Sequence, residues 1–169
     1  FAFSTSLGAA FERTEELAPL PTECDSITGF DMPTDDHDRV AIWCDNGNAF
    51  TCDLTTDSCT QIPIAGQIGI IWVVYAPSDP QVLFAQSNCD CGWGLFRSTD
   101  GGATTEQVYS FQSDLIRVAP SDAQRVCTMY RWNALHCSND GGDTWSLMTP
   151  DLDPPYSNVI HDFAFAADG

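Results

Sequence analysis

Apolar positions in this chain come in short runs, and the runs are punctuated by Gly, Pro and Asp. Ile70-Ile-Trp-Val-Val-Tyr75 leads into Ala76-Pro-Ser-Asp79 and then Val82-Leu-Phe-Ala85. Leu115-Ile-Arg-Val118 leads into Ala119-Pro-Ser-Asp122 and then Val126-Cys-Thr-Met-Tyr130. β-rich apolar runs separated by such turns predict antiparallel hairpins. No amphipathic helix of two or more turns stands out. The chain therefore reads as all-β.

The pattern also repeats. Ser98-Thr-Asp-Gly-Gly-Ala-Thr-Thr105 and Ser138-Asn-Asp-Gly-Gly-Asp-Thr-Trp145 align without a gap, 40 residues apart. Each unit reads strand, Pro-Ser-Asp turn, strand, turn, strand, Asp-Gly-Gly turn, strand. Four strands at roughly this period predict one blade of a β-propeller. A decayed copy comes first. Ile27-Thr-Gly-Phe-Asp-Met-Pro33, Arg39-Val-Ala-Ile-Trp43 and Ala49-Phe-Thr-Cys52 match the later strands, but Asp53-Leu-Thr-Thr-Asp-Ser58 replaces the Asp-Gly-Gly turn. The expectation is three whole blades of four antiparallel strands, over 21–66, 67–110 and 111–152. Partial blades are expected at both ends: outer strands over 1–20, with Ser4-Thr-Ser-Leu-Gly-Ala-Ala-Phe11 as a degenerate turn, and an inner strand within 153–169. A closed ring usually holds about four to eight blades. The chain is thus expected to be a fragment of a longer propeller, or to be completed by another chain or by copies of itself.

Charge and cysteine content narrow the setting. There are 24 Asp plus Glu against six basic residues, all Arg, for a formal net charge of -18. Such a polyanion repels phosphate backbones and anionic membrane surfaces, so neither is an expected partner. No apolar run reaches the roughly 18 residues of a membrane-spanning helix. Eight cysteines (Cys24, Cys44, Cys52, Cys59, Cys89, Cys91, Cys127 and Cys137) make an even set. That favours disulfides and an extracellular, periplasmic or cell-surface location. Cys127 and Cys137 flank a predicted hairpin turn and face each other on counting inward; the other pairings stay open. No C-x-x-C occurs and the three histidines do not cluster, so no metal or other cofactor is expected.

The two aligned turns resemble the Asp-box (BNR, sialidase-like) repeat, S-x-D-x-G-x-T-W. Ser138, Asp140, Gly142, Thr144 and Trp145 match at each defined position. Ser98, Asp100, Gly102 and Thr104 match too, but Thr105 stands where the aromatic belongs. The resemblance implies propeller blades whose Asp boxes fold the outer hairpin, away from any catalytic face. In such a turn Asp accepts backbone N–H bonds, Gly takes angles closed to other residues, and the aromatic packs beneath.

Sites of chemistry are harder to pick out. Arg117, in an inner strand, is the best candidate for anion contact. Arg39 and Arg125 share a blade position, which suggests a structural role. Trp93 and Trp132 sit in equivalent turns and are candidate ligand-stacking residues. The carboxylates Asp31, Asp35, Asp36, Asp38, Asp45, Asp90, Asp114 and Asp162 are too many to pair by spacing as glycosidase acids. The F/Y-R-I-P motif usual in sialidases is missing. The expected function is a glycan- or protein-binding or structural module. The alternative is part of a sialidase-like or other glycoside hydrolase propeller, with catalytic residues partly outside this segment.

Overall fold

The computed structural model describes residues 21–64, 69–89, 92–130, 134–149 and 160–166. These residues are all-β. The first sheet holds β1 (Ile27–Asp31), β2 (Arg39–Cys44), β3 (Ala49–Asp53) and β4 (Ser58–Gln61). The second holds β5 (Ile70–Ala76), β6 (Asp79–Cys89), β7 (Gly92–Ser98) and β8 (Glu106–Tyr109). The third holds β9 (Leu115–Ala119), β10 (Asp122–Tyr130), β11 (Ala134–Ser138) and β12 (Ser146–Leu147). Each sheet is an antiparallel meander in chain order.

The sheets stack face to face, which explains the hydrophobic pattern. On β6, Leu83 and Ala85 face the first sheet while Val82 and Phe84 face the third. A strand covered on both faces reads as a continuous apolar run. Each Leu or Phe so buried contributes roughly 2 kcal/mol. The outermost strands differ: every residue of β4 is exposed, so Ser58–Gln61 carries no apolar pattern. Successive first strands β1, β5 and β9 lie against one another. Gly29 on β1 leaves room for the Trp43 ring, which a Cβ there would meet at 2.2 Å.

The hairpins divide into two ends. The β1–β2, β5–β6 and β9–β10 turns lie at one end with the β3–β4, β7–β8 and β11–β12 loops. The β2–β3 turn lies at the other, with the adjoining ends of β6 and β7 and of β10 and β11. At the second end Gly47 O accepts Ile70 N at 2.9 Å, joining the first sheet to the second.

Among the described residues three disulfides brace the first and third sheets. Cys127–Cys137 joins directly opposed residues of β10 and β11. Cys52–Cys59 does the same for β3 and β4. Cys24–Cys44 fastens the segment before β1 to the end of β2. Cys91 and the side chain of Cys89 lie outside the described residues, as do residues 1–20, Asp90 and Trp132. Residues 160–166 lie against the third sheet without joining it. Asp162 pairs with Arg117 at 3.1 Å, and Phe165 lies under Arg125 at 5.7 Å.

Candidate functional site

The Ser-x-Asp-Gly-Gly-x-Thr loops at the first end have matching geometry. Asp100 Oδ1 accepts from Ser98 Oγ and Thr104 N, both at 2.8 Å, and Oδ2 accepts from Thr104 Oγ1 at 2.6 Å. Asp140 repeats this with Ser138 and Thr144 at 2.7, 2.8 and 2.6 Å. Buried Ser98 Oγ accepts Gly102 N at 2.8 Å, and Ser138 Oγ accepts Gly142 N at 2.7 Å. Gly101, Gly102, Gly141 and Gly142 all have positive φ, between 72° and 107°, where an L side chain is strained. Hydrogen bonds from Thr104 and Thr144 hold the Asp100 and Asp140 carboxyls down at about 2. Each carboxylate thus takes three hydrogen bonds from within its own loop and holds that loop closed. In the first sheet Asp53 builds a shorter turn, accepting Thr55 N at 2.8 Å and Thr56 N at 3.1 Å.

The loops also bind sheet to sheet. Arg97 on β7 donates to Gly141 O at 3.0 Å and pairs with Asp143 at 2.8 Å across the interface, and with Glu106 at 2.5 Å within its own sheet. Trp145 does more than pack beneath its turn. Its Nε1 donates to Val108 O of the preceding sheet at 2.8 Å, and its ring meets Tyr109 at 4.9 Å. The reason is reach: an indole at the end of this loop is long enough to cross to the neighbouring β8.

The opposite end is the candidate site. Trp72 is 42% exposed, Trp93 41% and Phe111 55%, with Ile71 beside them. Trp72 stacks on Trp43 at 5.9 Å, and Phe111 touches Tyr130 at 5.7 Å. A β-bulge explains why Trp72 points outward. The pairing of β5 with β6 slips between Ile70 and Trp72, and a bulge re-aims the side chains that follow it. Amide groups lie beside Trp93: Gln107 Nε2 donates to its carbonyl at 3.2 Å, and Asn88 is its partner across the β6–β7 ladder. Between the first two sheets at this end lies a cavity of about 330 Å3, lined by Thr28, Asp45, Asn46, Ile71 and Asn88 among others.

Other residues singled out from sequence fall elsewhere. Arg117 is held by Asp162 and also donates to Ile116 O at 3.2 Å. Arg39 pairs with Asp36 at 3.2 Å, whereas Arg125 lies over Phe165. Asp31 accepts Tyr75 N at 2.8 Å from the next sheet. Burial raises the pKa of Asp31 against that bond. Asp38 closes a turn, its N–H on Asp36 at 3.1 Å. Gln112 donates to Asp114 at 2.9 Å. His136 rests on the Tyr109 ring, and burial lowers its pKa. Among the described residues no three His, Cys, Asp or Glu side chains converge as a metal site would require. Trp72 and Phe111 were not singled out from sequence. Trp72 stands inside the unbroken apolar run Ile70–Tyr75, which carries no local sign that its side chain turns outward.

No protein-family model and no curated protein sequence matches the chain. Solved structures do. A GH74 xyloglucanase from Xanthomonas campestris superposes with TM-score 0.60 at 19% identity, over 72% of this chain and 20% of that one. An ancestral GH74 enzyme gives 0.60 at 14% identity, over 73% and 18%. YCF48 bound to a D1 peptide gives 0.57 at 11% identity, over 75% and 40%. The chain thus spans about a fifth of the length of the GH74 enzymes and two-fifths of YCF48. At these identities the likeness is one of fold, and the fold of the chain is that of a β-propeller, here a module of four-stranded antiparallel blades.

Proposed function

We propose that this is an Asp-box repeat propeller module, acting outside the cytosol, that binds a neutral glycan on its aromatic end. Support for the Asp-box reading is the matching hydrogen-bond set of the loops at Asp100 and Asp140. Support for the location is the three disulfides, which persist in oxidising compartments. The observation that carries the binding proposal is that Trp72, Trp93 and Phe111 are each exposed at the end opposite the scaffold loops. Exposed rings with amides beside Trp93 suit a sugar, which offers an apolar face for stacking and hydroxyls for hydrogen bonds. A net charge of -18 repels acidic sugars, and Arg117 is already paired, so the glycan is neutral. Binding of xyloglucan oligosaccharides followed by isothermal titration calorimetry tests this. Trp72→Ala and Trp93→Ala should each weaken binding about tenfold or more. Undetectable binding by the parent chain, or equal binding by both variants, would refute the assignment.

A second reading is a blade set of a glycoside hydrolase, with catalytic residues partly supplied from outside this segment. The GH74 neighbours favour it, and release of reducing ends from xyloglucan tests it. In both readings further blades complete the ring, from a longer chain, another polypeptide or copies of this one. Native mass spectrometry of the purified chain distinguishes these assemblies.

A further inference from the structure

A second binding place lies where the repeat departs from its own pattern, between the first and second sheets. Between the second and third sheets, Trp145 and Tyr109 fill the gap beside the outer strand, ring on ring at 4.9 Å. Tyr109 pairs with Leu95, and both belong to that inter-sheet core. One repeat earlier the corresponding core residues are Ile62 and Ala49, joined by Ile62 N to Ala49 O at 2.8 Å. The residue matching Trp145 is Thr105. Two aromatic rings are thus replaced by Ile and Thr at equivalent places. The structure has a groove of about 400 Å3 there, lined by Ala49, Gln61, Ile62, Pro63, Ile64 and Thr105 among others. Sites for small ligands start at roughly 300 Å3. Thr105 Oγ1 donates to the Pro63 carbonyl, much as Trp145 Nε1 donates to Val108 O.

We infer that this groove is a socket for a tryptophan side chain presented by a basic segment of a protein partner. The neighbouring interface supplies the template: an indole lying against an outer strand, with its N–H on a main-chain carbonyl. Charge complementarity supplies the flanks, because a chain of net charge -18 attracts cationic segments and repels acidic ones. The socket follows the outer strand of the first sheet and reaches Gly47 and Ile70, which also line the cavity at the aromatic end, so shifts centred on Ile62, Ile64 and Thr105 rather than on Ile71 and Asn88 mark binding here.

The test uses the whole chain and three N-acetylated, C-amidated tripeptides, Arg-Trp-Arg, Arg-Ala-Arg and Glu-Trp-Glu, titrated by amide and methyl NMR. Arg-Trp-Arg should bind saturably, with shifts centred on Ile62, Ile64, Ala49 and Thr105. The Ala and Glu peptides should bind about tenfold more weakly or not at all. Thr105→Trp, which restores the repeat's own aromatic, should reduce Arg-Trp-Arg affinity about tenfold or more and raise Tm. Ile62→Tyr, a second way of filling the socket, should do the same to binding. The idea is overturned by Arg-Trp-Arg failing to bind at millimolar concentration, by shifts centred elsewhere, or by equal binding of the Ala peptide. Folded filled variants that bind like the parent would also overturn it. Shift mapping on the parent chain decides the matter even if both variants fail to fold.

Discussion

Truncating Arg97 to Ala should be among the most damaging single changes to this chain outside its apolar cores. The side chain is 12% exposed, and its guanidinium crosses from β7 of one sheet to the Asp-Gly-Gly loop of the next. It lies so close that a Cβ on Gly141 would meet it at 2.6 Å. Its partners are of two kinds. The carboxylates of Glu106 and Asp143 are 62% and 64% exposed, so each ion pair contributes only about 0–1 kcal/mol. The carbonyl of Gly141 belongs to a buried residue and loses its charged donor, a bond of about 1.5–3 kcal/mol. The alkyl stem adds packing. Arg97→Ala should therefore cost about 2–3 kcal/mol, while Glu106→Gln and Asp143→Asn each cost less than about 1 kcal/mol. Arg97→Lys should fall between, because an ammonium cannot reproduce the planar fork. Urea unfolding followed by tryptophan fluorescence measures each change, and Tm should move about 2–4 °C per kcal/mol. Raising salt to about 1 M should shrink the carboxylate effects and leave most of the Arg97→Ala loss. A loss under about 1 kcal/mol for Arg97→Ala, or a Glu106→Gln loss equal to it, would refute this account.

Three further changes probe the scaffold. Ser138→Ala leaves the buried Gly142 N–H without its acceptor and should cost about 1–3 kcal/mol by chemical denaturation. Asp53, Asp100 and Asp140 all have lowered pKa values. They therefore stabilise the fold above the ordinary carboxyl pKa and lose that contribution as pH falls towards about 2. Asp31, whose pKa is raised by burial, works in the opposite sense, giving up stability as pH rises through its folded value. Thermal melts from pH 5 to about 2 should show a fall in Tm that is shallower in the Asp100→Asn, Asp140→Asn double variant; an unchanged slope would contradict it. Replacing both Cys127 and Cys137 with Ser opens a crosslink of sequence separation 10 and should cost about 2.7 kcal/mol on loop entropy. The Cys24–Cys44 link, separation 20, should cost about 3.3 kcal/mol by the same reasoning, and equal or reversed losses would argue against it.

Much of the architecture was legible in the sequence, because its signals are local. Apolar runs, Pro-Ser-Asp turns and the recurrence of Ser-x-Asp-Gly-Gly-x-Thr all act within a few residues. A strand buried on both faces, such as Val82–Ala85, announces itself as an unbroken apolar run. Cys127 and Cys137 could be matched because an antiparallel hairpin places residues counted inward from its turn opposite each other. Loop chemistry was equally readable, since the Asp100 and Asp140 carboxylates take their hydrogen bonds from neighbours within four residues.

What the tertiary structure alone decided lies between sheets. Nothing near Arg97 in the sequence names Gly141, 44 residues away, and nothing near Arg117 names Asp162, which takes up the charge that marked it as an anion contact. Trp72 read as strand core until a slip of register turned it outward. Trp145 read as packing under its own turn until its indole was seen to reach Val108. Cys24–Cys44 joins a strand end to a segment with no repeat pattern to align it. The physical reason is common to all of these. Period and propensity say where each strand runs, but sheet stacking and bulges decide which side chains meet across an interface, and those meetings set both the aromatic end and the groove beside Thr105.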